Sequence, residues 1–406
     1  MPGAHPQLAT FLEGVAPVCG DVGCRVAPDA LRRARSEQET GAVTRSEPRY
    51  VSYDPVLAEP RADETALADA LAETLVDIVR QTWEDEGRGL RAVHAKSHAL
   101  LAAEVEIPEL PPELAQGVFA RPGRHRALMR LSTTPGDLLP DRVSTPRGIA
   151  LRICDVPGER LEGAEHLRGQ DVLMVNGPTF NAPDGATFLR NLKLLAKTTD
   201  RMTRTKQVIS AVLRGTERML EAASTESTAL KAMGGEPPLH PLGETYFSQL
   251  PLRFGAYIAK LQLVPASPVL RALEGRRLEL ADDNALQTAL VTHFRDHDAI
   301  WELRAQLCTS LDDMPIEDAT AEWSTDQSPF RTVAIVRAPR QIAWSETRSR
   351  TVDDGMGFSP WYGIQAHRPL GEIMRLRQTA YARSQAFRSR MQGRPLTDGC
   401  PFAHDD

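Results

Sequence analysis

Residues 367–390, HRPLGEIMRLRQTAYARSQAFRSR, are the stretch around which the rest of the chain is organised. Arg, Leu, Gln, Ala and Met favour an α-helix, and Gly393 indicates where it ends. Arg377, Tyr381 and Arg388 are spaced by four and by seven residues. On a helix at ~100° per residue these three lie within about 40° of one another. The sequence therefore predicts a C-terminal helix with an arginine–tyrosine–arginine stripe.

Two interpretations of this stripe are open. A solvated basic helix that carries one tyrosine is the simpler one. In the other, Arg377 lowers the pKa of the Tyr381 phenol, because a nearby cation favours the charged form of an acid. A phenolate can bind the iron of ferric haem, and Arg388 lies about where the propionates of a porphyrin would reach. Two further Arg-x3-Tyr pairs occur, and neither has an arginine seven residues after its tyrosine.

The composition excludes several classes of protein. The chain has 406 residues, of which 41% are hydrophobic and 25% charged, which is ordinary for a globular protein. Its net charge of −6 gives no broad basic face, so we expect no nucleic acid among its partners. No apolar run reaches the ~18 residues of a membrane span. The first residues also lack the basic and apolar regions of a signal peptide.

Cysteine usage predicts the cellular compartment. The five cysteines, Cys19, Cys24, Cys154, Cys308 and Cys400, are scattered along the chain. An odd number without regular spacing does not predict a disulfide framework. Reduced thiols are typical of the cytoplasm, so we expect a cytoplasmic protein.

The chain divides into three regions. Residues 1–48 are rich in Ala, Arg, Pro and Glu without a clear period, and we interpret them as an N-terminal extension. Residues 49–390 carry the periodic patterns of a folded core, and residues 391–406 form a C-terminal tail. Inside the core we predict helices at 63–86, 184–198, 202–223 and 284–295.

Strand-like runs occupy much of the remaining core. These short apolar or alternating runs, bounded by Pro, Gly and Asp, are RAVHA, ALLAAEVEI, RALMRLS, GIALRIC, DVLMV, TYFSQL, RFGAYIAKLQLV, IWELRAQLC and RTVAIVRA. So many strands without βαβ alternation favour an α+β protein in which helices surround a closed antiparallel β-barrel.

Segment 91–101, RAVHAKSHALL, contains the first candidate catalytic residue. His94 lies inside a strand-like run, where a lone histidine is more often a core residue bonded to a backbone carbonyl. The alternative is a general acid and base with a pKa near neutrality. Arg91, three residues earlier, would balance an acidic group of a ligand.

Two further segments contain polar residues in apolar surroundings. In ALMRLSTTPGD (127–137), Arg130 requires an anionic partner if its strand is buried. Ser132 is two residues further and on the same face, where its hydroxyl could hold a histidine Nδ1. Asn176 ends the apolar run DVLMV as part of an Asn-Gly turn signal, or else bonds a small polar ligand. Phe188 packs either in the core or on a flat ring. The chain has no P-loop, GxGxxG, HExxH or GxSxG motif.

Taken together, these segments resemble the catalase superfamily. The matching segments, in the order of the family, are RAVHAKSHA with the distal histidine, ALMRLSTTPGD, STPRGIALRI, LMVNGPTF with the distal asparagine, IWELRAQL with MPIEDATAEW, and the Arg-x3-Tyr-x6-Arg stripe. They extend over about three quarters of the chain. The chain is most similar in form to the compact bacterial catalase-like proteins that lack the C-terminal flavodoxin-like domain.

This resemblance implies a haem b site, since catalases are the standard case of a haem iron bound by tyrosine. It implies that Tyr381 binds the iron and that the C-terminal helix carries this proximal ligand. Among the catalytic residues, His94 would stand over the opposite face of the haem, Ser132 would orient it, and Asn176 would bond the peroxide. The other residues that the resemblance places around the cofactor are Arg91, Val93, Arg130, Phe188, Arg377 and Arg388.

The resemblance leaves the reaction open among three hypotheses. The first is a haem enzyme that acts on hydrogen peroxide, as a catalase or peroxidase. The second is an enzyme that transforms an organic or fatty-acid hydroperoxide or oxidises a small metabolite. Val93 leans towards the first, because the allene oxide synthases carry threonine before the distal histidine. The third is a haem-binding protein without activity. A homo-oligomer is compatible with each of them.

Overall fold

The structure is a computed structural model that describes residues 50–61, 63–199, 236–397 and 399–402. Its strands are β1 Lys96–Ile107, β2 Gly123–Thr133, β3 Arg147–Ile153, β4 Gln170–Val175, β5 Tyr246–Phe247, β6 Leu252–Phe254, β7 Tyr257–Pro265, β8 Ala299–Leu307 and β9 Arg331–Ala338. Its helices are α1 Glu64–Glu86, α2 Gly185–Thr199, α3 Pro268–Arg271, α4 Ala285–Asp296, α5 Glu346–Ser349 and α6 Glu372–Gln392.

Eight antiparallel strands close into a barrel. The hydrogen-bonded order is β5-β4-β3-β2-β1-β9-β8-β7, and pairing of β5 with β7 closes the ring. Strand β6 pairs with β7 as an additional edge. The predicted α+β class and antiparallel barrel with surrounding helices are confirmed.

The barrel is filled by alternate side chains of its strands, as the two-residue period of a strand requires. Leu101 of β1, Met129 of β2 and Trp301 of β8 belong to the same buried core cluster. The residues in between, such as Leu100 and Leu128, pack instead against the segment that contains Val352, Met356 and Phe358. Where both faces are buried, as at 99–103 of β1 and 127–129 of β2, the sequence is a continuous apolar run.

A layer of three helices lies beside the barrel. Leu71 of α1, Leu192 of α2, and Leu376 and Ala380 of α6 form one buried cluster. The helices predicted at 63–86, 184–198 and 284–295 agree with α1, α2 and α4 to within one residue. The helix predicted at 202–223 and the extension at 1–48 lie outside the described residues. None of the described helices is both long and apolar enough to cross a membrane.

Two predictions from the sequence are wrong. The run RAVHA is not a strand: β1 begins at Lys96, and His94 has a φ of 54° in the preceding bend. Cys154 and Cys400 are also not reduced thiols, because they form a disulfide across 246 residues with their Cα atoms 6.3 Å apart. Cys308 is buried and free. The disulfide removes the cysteine argument for a cytoplasmic location.

Candidate functional site

The stripe predicted from the sequence is present on α6. Arg377 donates from Nη2 to the Tyr381 hydroxyl at 2.8 Å, and its guanidinium lies 5.0 Å from the centre of the same ring. Arg388, two turns further, is 2% exposed. Tyr381 itself is partly buried. The simpler interpretation, a solvated basic helix, therefore does not describe this face.

Ion pairs at the start of α6 fix its position. Arg375 donates to Glu64 of α1 at 2.7 Å and to Glu317 at 3.1 Å, and its side chain is buried. Trp361 donates from its indole to the Met374 carbonyl at 2.7 Å. Because these contacts hold the first turn of α6, the helix that carries the arginine–tyrosine–arginine stripe is fixed in position.

His94 lies on the outer wall of the barrel. Its ring rests on Gly148 of β3, where an added Cβ would lie 2.6 Å from the His94 Cε1 atom. The Ser132 hydroxyl of β2 is 3.4 Å from His94 Nδ1. A side chain at position 148 would therefore displace the imidazole, and Nε2 is the ring nitrogen that Ser132 leaves free.

The charges around His94 keep its imidazole neutral. Burial lowers the pKa of His94 to about 3, and the positive charges of Arg130 and Arg377 add to this effect. Arg377 is therefore close enough to influence His94 electrostatically, although the two residues belong to different layers of the fold. At neutral pH this histidine can accept a proton but does not carry one.

Arg91, Arg130 and Arg388 converge on one residue, Asp353 in the π-helical turn Arg350–Asp354, the first two at its carboxylate and the third at its backbone carbonyl. Arg130 donates from Nε to Asp353 Oδ1 at 2.7 Å, and Arg91 lies 3.4 Å from the same oxygen. Arg388 donates to the Asp353 carbonyl at 2.6 Å. Hydroxyl donors Ser97 and Ser349 occupy Oδ2 at 2.6 and 2.8 Å.

This cluster carries more positive than negative charge. Four guanidinium groups, those of Arg88, Arg91, Arg130 and Arg388, lie around the two carboxylates of Asp353 and Asp354, which leaves two positive charges in excess. Burial lowers the pKa of Arg388 to about 10, and repulsion from Arg130 contributes. Burial raises the pKa of Asp353, but the charges of Arg130 and Arg91 outweigh it and hold that pKa below its ordinary value. A buried cluster of this kind favours an anionic ligand with two charges.

Asn176 is close to His94 but its amide is already bonded. Its Oδ1 accepts from the backbone N–H of Arg147, which precedes Gly148. Its Nδ2 donates to Glu236 at 2.8 Å and to Glu244 at 2.9 Å. Both amide hydrogens are therefore held by carboxylates in this structure, and the role in peroxide binding expected from the resemblance requires one of them to be released.

The apolar residues expected near the cofactor lie in the helical layer. Val93 and Phe188 both pack against the cluster of α1, α2 and α6 that includes Ala380, the neighbour of Tyr381. Phe188 also contacts Phe180 edge to face at 5.1 Å. Both side chains therefore contribute apolar surface to the helical layer that carries the stripe on α6.

The structure brings most of the expected residues into one region and adds four that sequence reasoning missed. The additional residues are Arg147, Glu236, Glu244 and Asp353. For Arg147 a signal exists, because it is an arginine at the start of an apolar strand like Arg130. The three acidic residues lie in stretches without a periodic pattern, so nothing in the sequence indicates their burial.

Comparison with known proteins gives the fold. No family model matches the chain, and no curated protein matches it. Among solved structures, a fungal catalase matches with a TM-score of 0.52 at 17% identity, over 90% of this chain and 73% of that one. Catalase A from Saccharomyces cerevisiae gives 0.53 at 16%, over 84% and 68%. A bacterial catalase gives 0.52 at 16%, over 91% and 70%.

The protein therefore has a catalase-like fold. The resemblance inferred from six ordered motifs is confirmed for the fold. At these low identities, the structural matches establish the fold alone.

Proposed function

We propose that this protein binds haem b and uses it to act on hydrogen peroxide, as a catalase or peroxidase. The observation that carries the proposal is the 2.8 Å contact between Arg377 and the Tyr381 hydroxyl on a partly buried face of α6. Tyrosine is one of the residues that bind haem iron in proteins, and this contact fixes the position of the oxygen that would do so.

The residues present fit a haem in their chemistry. Tyr381 would bind the iron, and Arg377 would hold the tyrosine oxygen in position. Arg91, Arg130 and Arg388 would hold the two propionates, whose charges match the two positive charges that Asp353 and Asp354 leave uncompensated. Val93 and Phe188 would provide apolar surface for the ring.

In the proposed reaction, the protein contributes proton transfer and positioning. Haem, when bound, would supply the oxidation chemistry, and Tyr381 as the iron ligand would tune it. His94, neutral at neutral pH, accepts a proton at Nε2 from one oxygen of the peroxide. It returns that proton to the other oxygen, which then leaves as water rather than as hydroxide. Ser132 at Nδ1 keeps the ring oriented for both transfers.

The test is a hemin titration of the purified protein followed by visible spectroscopy. We expect Tyr381→Phe to lose tight binding of hemin or to shift its charge-transfer bands. Tyr257→Phe is the matched control, because Arg253 and Tyr257 have the same Arg-x3-Tyr spacing but lie on β6 and β7. An unchanged spectrum in Tyr381→Phe would show that this tyrosine is not the ligand.

Substrate assays separate the three hypotheses. Oxygen evolution from hydrogen peroxide, or oxidation of a reducing dye by it, supports the proposed activity. Turnover of a lipid hydroperoxide without oxygen evolution would assign the protein to the second class. Bound hemin with neither activity would assign a binding role.

A further inference from the structure

A second polar cluster lies next to Gly148, the residue that the His94 ring contacts. Arg147, Asn176, Glu236 and Glu244 meet where β3 begins and β4 ends. Arg147 donates to Glu244 at 3.2 Å and lies 3.8 Å from Glu236, and its side chain is only 2% exposed. The Glu244 side chain is 9% exposed. Two carboxylates thus share one guanidinium and one amide in a buried place.

The cluster is not fully hydrogen-bonded within the described part of the chain. Glu244 uses Oε1 for both Asn176 and Arg147, while its Oε2 is buried and has no partner. The Nε atom of Arg147 is buried without a partner as well. An unsatisfied carboxylate oxygen costs more when the group is ionised than when it is protonated, because charge increases the cost of desolvation.

The backbone connects this cluster to His94. Asn176 accepts from the N–H of Arg147, and the next residue, Gly148, is the surface on which the His94 ring rests. A change in the orientation of the Asn176 amide therefore acts on Arg147, the residue just before the glycine that the imidazole contacts.

We propose that Glu244, supported by Glu236, is a positioning residue that sets the availability of the Asn176 amide according to its own protonation state. As a carboxylate, Glu244 holds one N–H of Asn176 by a charge-assisted hydrogen bond. When protonated it holds that N–H only about half as strongly, so the amide turns to donate to a ligand beside His94. This inference rests on the proposed function and extends it.

The groups that face Glu244 make it the residue that titrates near neutrality. Burial raises the pKa of Glu244 to about 7, although the charge of Arg147 and the Asn176 hydrogen bond lower it and Glu236 raises it further. Tyr246 of β5 also faces this carboxylate and stays neutral, because burial raises the pKa of its phenol well above the ordinary value. His240 stays neutral too, because burial lowers its pKa to about 4.

The first test measures cyanide affinity of the hemin-loaded protein between pH 5.5 and 8.5, a range in which neither hydrogen cyanide nor His94 changes its protonation. We expect the Kd of the unaltered protein to rise about tenfold across pH 7. In Glu244→Gln the Kd should stay at its low-pH value throughout. Glu302→Gln, a change of another barrel glutamate paired with Arg304, is the control and should keep the pH dependence.

The second test uses the haem-free protein and no variant that risks misfolding. We expect the side-chain amide resonances of Asn176, measured by NMR on ¹⁵N-labelled protein, to shift with a midpoint near pH 7. An amide that does not titrate, or an unchanged cyanide profile in Glu244→Gln, would overturn the proposal. Failure of the unaltered protein to bind hemin would instead overturn the proposed function, and this inference with it.

Discussion

At the scale of single residues, the position of His94 depends on the absence of a side chain at position 148. A Cβ at this position would lie 2.6 Å from the His94 ring. We therefore expect Gly148→Ala to displace the imidazole and to lower peroxide turnover by about 10²-fold, the low end of what general acid–base catalysis contributes. Hemin binding should be retained, because the α6 stripe is not touched.

Gly123→Ala is the matched control for this change. Gly123, like Gly148, lies at the start of a strand, and nothing lies within 4 Å of its added Cβ. Turnover equal to that of the unaltered protein is expected there. If Gly148→Ala were equally active, His94 would not be the group that moves the proton.

The Glu244 carboxyl makes the free energy of unfolding decrease as the pH rises. Its pKa is raised on folding from 4.5 to about 7, mainly by burial. The stabilisation is therefore complete below pH 4.5 and is lost as the pH rises through 7, since between these two pKa values the group is ionised in the unfolded chain but not in the folded one. We expect Glu244→Gln to reduce this loss by on the order of 3 kcal/mol, measured by urea unfolding at pH 5 and pH 8. Glu84→Gln, on the exposed face of α1, should leave it unchanged.

At the scale of elements, the turn Arg350–Asp354 holds the arginine cluster together. Replacing Asp353 by Asn would leave the Arg130 and Arg91 guanidinium groups without their carboxylate partner. We expect Asp353→Asn to lower the free energy of unfolding by about 3–5 kcal/mol, the usual cost of breaking a buried ion pair.

The adjacent residue provides the control. Asp354 pairs with Arg88 at 2.8 Å, and the Arg88 side chain is 40% exposed. Asp354→Asn should cost at most about 1 kcal/mol, as expected for a pair near the surface. Equal melting temperatures for the two variants would show that Asp353 does not hold the arginine cluster together.

The elements themselves could be predicted from the sequence, whereas their partners could not. Periodicity located α1, α2 and α4, and eight of the nine strand-like runs overlap a strand of the structure. It failed at RAVHA, because the left-handed φ of His94 is imposed by tertiary contacts and not by local propensity. The need of Arg130 for an anionic partner was foreseeable, but the partner lies 223 residues away. Glu236 and Glu244, 60 and 68 residues after Asn176, were equally out of reach.

At the scale of the whole molecule, two layers of the fold contribute the residues of the candidate site. The barrel carries Ser132 and Arg130, with His94 in the bend that precedes β1, while the helical layer carries Tyr381 and its arginines. Arg375 joins α6 to Glu64 of α1, so the helical layer is fixed as a unit. These residues are far apart in the sequence. Each motif alone is therefore a weak signal, whereas the order of all the motifs along the chain is a strong one.

The Cys154–Cys400 disulfide fixes the end of the chain to this assembly. Cys154 follows β3, and Cys400 belongs to a tail whose Thr397 donates to the Gly355 carbonyl at 2.7 Å. The tail thereby covers the segment next to Asp353. Because the bond closes a loop of 246 residues, we expect Cys400→Ser to destabilise the protein by about 2–4 kcal/mol.

The measurement is the melting temperature with and without a dithiol reductant. Reductant should lower the melting temperature of the unaltered protein to that of Cys400→Ser and should not affect the variant further. Hydrogen exchange should increase around Gly355 in both cases, because Thr397 is no longer held against it. Cys308→Ser is the control, since Cys308 is buried, unpaired and elsewhere in the fold. An unaltered protein that is indifferent to reductant would show that the tail is held by its other contacts.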